Sequence, residues 1–153
     1  MPAEIGQPAP EFTLKDQNGN DVALADFRGK QAVALVFYPF TFTGVCEGEL
    51  CRIRDDYSQF ENAGVQVLAI SCDSRHAQRV WAEQQGFTFP VLSDFWPHGA
   101  VAKAYGVFNE ELGCAIRATF LIDRNGVIVD EFRTDSLGTA REATRYTEAL
   151  AKL

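Results

Sequence analysis

Histidine is almost missing from these 153 residues: only His76 and His98 occur, and neither stands at ligand spacing from a cysteine. With no C-x2-C pair among Cys46, Cys51, Cys72 and Cys114 either, a structural zinc site has no usable donor set, and we expect neither metal nor cofactor. The absence of C-x2-C also removes the usual dithiol of a disulfide reductase, since the residue three after Cys46 is Glu49. Basic charge is short as well. Fourteen Lys and Arg against 21 Asp and Glu give a net charge of −7, which excludes a face built to displace counterions from nucleic acid. No apolar run is long enough to span a bilayer, and the opening Met-Pro-Ala-Glu-Ile-Gly lacks the basic and apolar regions of an export signal. The chain therefore reads as cytoplasmic, free of membrane and nucleic acid, with its four cysteines reduced. No repeat or linker divides it, so residues 1–153 read as a single domain with a real core.

What is present centres on Pro39 to Cys51. Ala32 to Tyr38 is a continuous apolar run, the mark of a buried strand, and Pro39 ends it by removing a ladder donor. Beyond it, Cys46, Leu50, Ile53, Tyr57 and Phe60 recur at steps of four, three, four and three, which predicts a helix to about Asn62 with these residues on one face. Cys46 thus falls in the first helical turn, where unpaired N–H groups and the helix dipole favour an anion. A thiolate, the nucleophilic form, is the anion such a position suits.

Elsewhere the pattern predicts an N-terminal hairpin from Phe12 to Leu24 around Asn18-Gly19 and a buried strand from Val65 to Cys72. A helix capped at Asp73 or Ser74 closes at Gly86, Pro90-Val-Leu is extended, and a short helix ends at Gly106. Ala118–Asp123 and Val127–Phe132 flank a second Asn-Gly turn. Thr139 and Glu142 stand at capping-box spacing for a last helix, with Ala143, Tyr146 and Leu150 toward the core. The sum is an α/β domain whose mixed sheet is parallel in its first half and antiparallel in its second, with helices on both faces.

Pro39, Thr43 and Cys46 form the pattern Pro-x-x-x-Thr-x-x-Cys, which resembles the motif of the peroxiredoxins, thiol peroxidases of the thioredoxin-like fold. The resemblance extends over nearly the whole chain: Gly6-Gln-Pro-Ala-Pro-Glu-Phe-Thr-Leu, Val67-Leu-Ala-Ile-Ser-Cys-Asp-Ser and Arg117-Ala-Thr-Phe-Leu-Ile-Asp-Arg-Asn-Gly all take part. Phe87 to Val101 and Ala104 to Glu110 look most like the alkyl hydroperoxide reductase E group. This likeness implies that Cys46 is the peroxidatic cysteine and is oxidised to a sulfenic acid. It further implies that Thr43 and the first helical N–H groups hold the peroxide, that Pro39 shields the pocket from water, and that Arg117 favours the thiolate. Glu49 matches a position that often holds that arginine.

Cys51 is open to several readings. In an ideal helix, five residues separate α-carbons by about 7.5 Å along the axis and roughly 140° around it, about 8.6 Å in all. That is beyond the ~7 Å at which a disulfide closes without backbone movement. One peroxiredoxin branch nonetheless resolves at this spacing, whereas relatives of the alkyl hydroperoxide reductase E group can use an external thiol. Cys51 is therefore the first internal candidate, Cys114 the second, and a plain helix residue the third reading. The implied partners are a hydroperoxide and a thiol reductant such as thioredoxin, a glutaredoxin-like protein or a low-molecular-weight thiol. A homodimer or larger assembly of dimers is implied as well, and Phe40, Phe42, Trp81, Phe87, Phe89, Phe95 and Trp96 are candidates to line a shared peroxide pocket or a dimer interface. Competing readings are a thioredoxin-like thiol-disulfide oxidoreductase and a non-enzymatic redox-sensing or chaperone module.

Overall fold

The computed structural model describes residues 3–134 and 136–153. An N-terminal hairpin joins β1 (Thr13–Lys15) to β2 (Asp21–Ala23), and Gly19 supplies the turn with φ of 83°. After a 3-10 turn at Leu24–Phe27, β3 (Ala32–Phe37) enters the interior with every residue buried. A helical segment follows as α1 (Gly44–Asp55) and α2 (Tyr57–Asn62), and then β4 (Val65–Ser71) returns parallel to β3. Next come α3 (Arg75–Gln85), β5 (Val91–Ser93) and α4 (Ala100–Ala104). A small ribbon of β6 (Phe108–Asn109) and β7 (Cys114–Ala115) precedes the hairpin of β8 (Ala118–Ile122) and β9 (Ile128–Arg133), and α5 (Ala143–Leu150) closes the chain.

The main sheet has seven strands in the order β2-β1-β5-β4-β3-β8-β9. Its centre, β5-β4-β3, is parallel, and antiparallel pairs flank it on both sides. This differs from the expectation of one parallel and one antiparallel half. The N-terminal hairpin does not stand apart but joins the sheet through Lys15 opposite Ser93. Two apolar layers cover the faces. One packs α1, α2, α3 and α5 through Leu50, Ile53, Phe60, Trp81 and Tyr146, and the other packs α4 through Ala102 and Tyr105. Trp81, Phe60 and Tyr105 are almost wholly buried, and each such side chain contributes on the order of 1.5–3 kcal/mol through water exclusion.

Two helices depart from their expected form. The run predicted from Cys46 to Asn62 breaks at Asp56, whose φ and ψ of −102° and 23° lie outside the helical range. Asp55 and Asp56 bring two carboxylates to the negative end of the helix dipole, an unfavourable place to continue. Restarting there seats Tyr57 over Phe89 and Phe60 against Tyr146, so the predicted apolar face survives the break. The last helix begins at Ala143, later than a Thr139 cap requires, and Glu142 takes the N-cap position without a side-chain cap bond. Thr139 instead accepts from Thr134 through its carbonyl. The residue that prevents an earlier start is Arg141, which is held by the site described next.

Candidate active site

β3 carries the chain to the carboxyl edge of the sheet, where Tyr38 is fixed by its N–H to the Ile70 carbonyl (2.9 Å) and Pro39 is buried. Without an N–H, Pro39 leaves no donor to satisfy at the strand's end. The Thr41 N–H then donates to Asp73 Oδ2 (2.8 Å), which also accepts from the Ser71 hydroxyl (2.7 Å), so the loop is tied to the end of β4. Tyr38 pairs its hydroxyl with Thr41 Oγ1 at 2.9 Å, and burial pushes its ionisation far up, so it stays a neutral phenol. Phe42 adopts φ of 66°, a conformation that costs a non-glycine residue on the order of 1–3 kcal/mol and needs support from its surroundings. That support comes from the Thr41 anchor on one side and from Thr43 Oγ1 donating to the Phe40 carbonyl (2.7 Å) on the other.

Thr43 occupies the N-cap position of α1, yet its hydroxyl caps no helical N–H. The first intrahelical bond runs from the Glu47 N–H to the Thr43 carbonyl (2.9 Å), which leaves the N–H groups of Gly44, Val45 and Cys46 without helical acceptors. Because the Thr43 proton is spent on Phe40, its oxygen lone pairs remain available to accept from a bound molecule. Cys46 is fully buried at this end of the helix.

One turn further on, Glu49 binds two arginines at once. Arg117 Nη1 donates to Oε1 at 2.7 Å, and Arg141 donates from Nε to Oε2 and from Nη2 to Oε1, both at 2.9 Å. The Arg141 backbone N–H adds a fourth bond, to Oε2 at 2.7 Å, which pins residue 141 outside the helix that follows. Further bonds orient both guanidinium groups, from Arg117 Nε to the Leu137 carbonyl and from Arg141 Nη1 to the Phe37 carbonyl, each 2.7 Å. All three side chains are at least nine-tenths buried. Burial alone would push the Glu49 carboxyl up; Arg141 through its charge and bonds, and then Arg117 through its charge, hold it below the usual value of 4.5. Two guanidinium groups and one carboxylate leave a surplus of one positive charge within this cluster. Arg141 lies within Coulombic reach of Cys46, so a thiolate there would balance the surplus.

Pro39, Thr43 and Cys46 lie where β3 gives way to α1, and Glu49, one turn beyond Cys46, is met there by Arg117. Arg141 was not foreseen. Its position between Thr139 and Glu142 made it part of an apparent capping box, and nothing in the local pattern singles out a buried arginine. Cys51 lies half-buried on α1, its thiol 3.5 Å from Gln85 Oε1 on α3, and all four cysteines are free. The helix is continuous between Cys46 and Cys51, so the two are held at helical spacing. Beside α1 a cavity of about 330 Å³ is lined by Gly44, Val45, Gly48, Glu49, Arg141 and Tyr146 among others, and the Cβ directions of Gly44 and Gly48 are open. Among the described residues no cluster of donors suits a metal ion, and no helix is long and apolar enough to cross a membrane.

Fold and site together define a class: a thioredoxin-like domain that presents a helix-terminal cysteine beside a buried, net-positive arginine cluster. Comparison with known proteins agrees. The AhpC/TSA family profile matches residues 5–131. The alkyl hydroperoxide reductase E of Mycobacterium tuberculosis is 51% identical over 150 residues, covering 97% of each chain. Peroxiredoxin Q of Sedum lineare is 39% identical over 124 residues, 80% of this chain and 65% of its own length. Among solved structures, reduced 2-Cys peroxiredoxin of Plasmodium vivax superposes with a TM-score of 0.88 at 27% identity, over 98% of this chain and 81% of that one. Peroxidoxin BcpB of Mycobacterium tuberculosis gives 0.86 at 30% identity, over 98% and 96%. The chain belongs to the AhpC/TSA family and is a peroxiredoxin.

Proposed function

We propose that the protein is a thiol-dependent peroxidase that reduces hydrogen peroxide and organic hydroperoxides at Cys46. The observation that carries this reading is the buried cluster of Glu49, Arg117 and Arg141, whose surplus positive charge sits at the same helix end as the buried thiol. The Cys46 thiolate attacks the terminal peroxide oxygen in line, the O–O bond breaks, and the leaving oxygen departs as water or an alcohol once protonated. Cys46 becomes a sulfenic acid. Charge moves from sulfur to the leaving oxygen during this step, so fixed donors that already face the pocket lower its barrier without reorganising. The free N–H groups of Val45 and Cys46 and the two guanidinium groups supply them, the Thr43 oxygen accepts from the hydroperoxide O–H, and Pro39 limits the entry of water.

Return to the thiol requires a second sulfur, either Cys51 after local unwinding of α1 or an external reductant. Thioredoxin, a glutaredoxin-like protein or a low-molecular-weight thiol fits that role. Cytoplasmic operation as a homodimer, or as an assembly of dimers, completes the reading. The exposed Phe40, Phe42, Phe95 and Trp96 are the surface expected to be covered. Stopped-flow measurement of peroxide consumption tests the proposal. Wild type consumes one equivalent in a fast phase even without reductant, and Cys46→Ser consumes none; a surviving fast phase in Cys46→Ser would refute the assignment.

A further inference from the structure

Peroxide reduction at Cys46 uses neither histidine, yet His98 stands where two segments of the chain meet. It belongs to the turn of residues 95–99 that joins β5 to α4, beside the exposed Phe95 and Trp96. Its ring bridges two backbone carbonyls. Nδ1 lies 3.2 Å from the oxygen of Phe95 in the same turn, and Nε2 lies 2.6 Å from the oxygen of Gly113, in the turn between β6 and β7. The rings of Phe95 and Phe108 stand nearly perpendicular to the imidazole, at 84° and 82°, with centroids 6.1 and 6.0 Å away. Phe108 also covers Gly99 so closely that a Cβ there would strike its ring. His98 therefore sits between the aromatic turn and the small ribbon and bonds to both.

A carbonyl oxygen only accepts, so both ring nitrogens must donate for both contacts to be hydrogen bonds. The imidazolium carries two N–H groups; a neutral ring carries one and turns a lone pair toward the other carbonyl. With the proton kept on Nε2, the Nδ1 lone pair faces the Phe95 oxygen at 3.2 Å; with it kept on Nδ1, the Nε2 lone pair faces the Gly113 oxygen at 2.6 Å, the closer and more repulsive contact. Loss of the second proton thus breaks the bond to Phe95 first. Phe95 and Trp96 are 51% and 81% exposed, so packing does little to hold their turn once that bond is gone. The titratable groups on the elements around His98 are Asp94 at the end of β5, Lys103 on α4, Glu110 and Glu111 in the turn after β6, and Cys114 on β7. Asp94 accepts from the Val101 and Ala102 N–H groups at 3.0 and 2.9 Å, and Lys103 lies over the Phe108 ring at 4.8 Å. The ring nitrogens face carbonyls rather than these groups.

We propose that His98 is a proton-operated clip: its imidazolium fastens the Phe95–Trp96 turn to the ribbon of β6 and β7, and loss of one proton releases the turn. The clip is closed below the titration of His98 and opens as pH rises through it, with a proton given up to solvent. A turn already held in one shape meets a partner surface at a lower entropic cost than a free one. Self-association through Phe95 and Trp96 therefore weakens on the alkaline side. That consequence rests on the reading above that a second copy covers these rings; the clip itself does not.

The test starts from His76→Gln, which leaves His98 as the single histidine, labelled with nitrogen-15. Chemical shifts follow the protonation of each ring nitrogen from about pH 5 to 8, the span in which histidine changes charge. Acrylamide quenching reports the exposure of Trp96 over the same span, with Trp96→Phe as the blank, and sedimentation gives the dissociation constant between copies. Trp96 becomes more quenchable as pH rises, in step with the His98 signal, and the dissociation constant rises about tenfold, the factor carried by one hydrogen bond from a charged donor. His98→Gln and His98→Asn, neither of which has a proton to lose, show neither change. Quenching that does not vary with pH, a quenching midpoint that does not track the His98 signal, or a wild-type response in both His98 variants, which would point to Asp94 instead, overturns the clip. Copies that stay monomeric at every pH while the quenching transition follows His98 overturn the covered-surface reading and leave the clip standing.

Discussion

Replacing Arg141 with methionine tests whether the second arginine of the cluster serves chemistry as well as architecture. The side chain makes four hydrogen bonds: two to Glu49 at 2.9 Å, one to the Phe37 carbonyl at 2.7 Å and one to Thr119 Oγ1 at 3.3 Å. Methionine fills much of the volume but donates nothing, so Glu49 keeps only Arg117 and the backbone N–H of residue 141. Breaking a buried ion pair costs about 3–5 kcal/mol, and because Glu49 retains a partner we expect the lower end, about 3 kcal/mol, in urea unfolding. The cluster's net charge falls from plus one to zero. Removal of one fixed donor from a charge-shifting transition state costs ~3 kcal/mol, or roughly two orders of magnitude in the stopped-flow rate of peroxide consumption. A variant that loses stability but stays within about threefold of the wild-type rate would show that Arg141 only holds the fold together.

Other expectations follow from the same contacts. Glu49 is held below 4.5 in the folded protein, so the unfolded chain binds more protons just beneath that pH, and this contribution to stability is present above 4.5 and lost as pH falls through the folded value. Unfolding midpoints measured from pH 6 downward should therefore drop more steeply for wild type than for Glu49→Gln below about pH 4.5; parallel curves would contradict the assignment. Asp73→Ala removes the acceptor of the Thr41 N–H and of the Ser71 hydroxyl, and should slow peroxide consumption more than it lowers the unfolding midpoint, with Asp73→Asn recovering part of the rate. Gly99→Ala sets a Cβ against the Phe108 ring at a φ of 71°, and a loss of about 2–3 kcal/mol is expected by thermal unfolding. A melting temperature equal to wild type would mean that the ring moves freely.

Much of this protein was legible in its residues because the relevant signals are local. Ala32 to Phe37 declared a buried strand by composition alone, and Gly19 and Gly126 marked the two hairpins whose turns indeed take positive φ. The spacing from Cys46 to Phe60 fixed which face of the helical segment is buried, even though the helix breaks at Asp56. Where the reading stopped, the deciding interaction joins residues far apart in the chain. The N-terminal hairpin was foreseen, but its docking onto β5 depends on Lys15 meeting Ser93, which no local pattern encodes.

Pro39, Thr43 and Cys46 lie within eight residues, so their order was enough to carry the family resemblance from which Cys46 is proposed as the nucleophile. The sequence also shows a net charge of −7 and no metal-ligand spacing among its cysteines and histidines. What the tertiary structure decided is charge balance. Glu49 meets Arg117 across 68 residues and Arg141 across 92, and these two contacts turn separate side chains into one buried, net-positive group beside Cys46. They also override a capping signal at Thr139, because a carboxylate buried with its hydrogen bonds unmade costs more than a helix that starts one turn late.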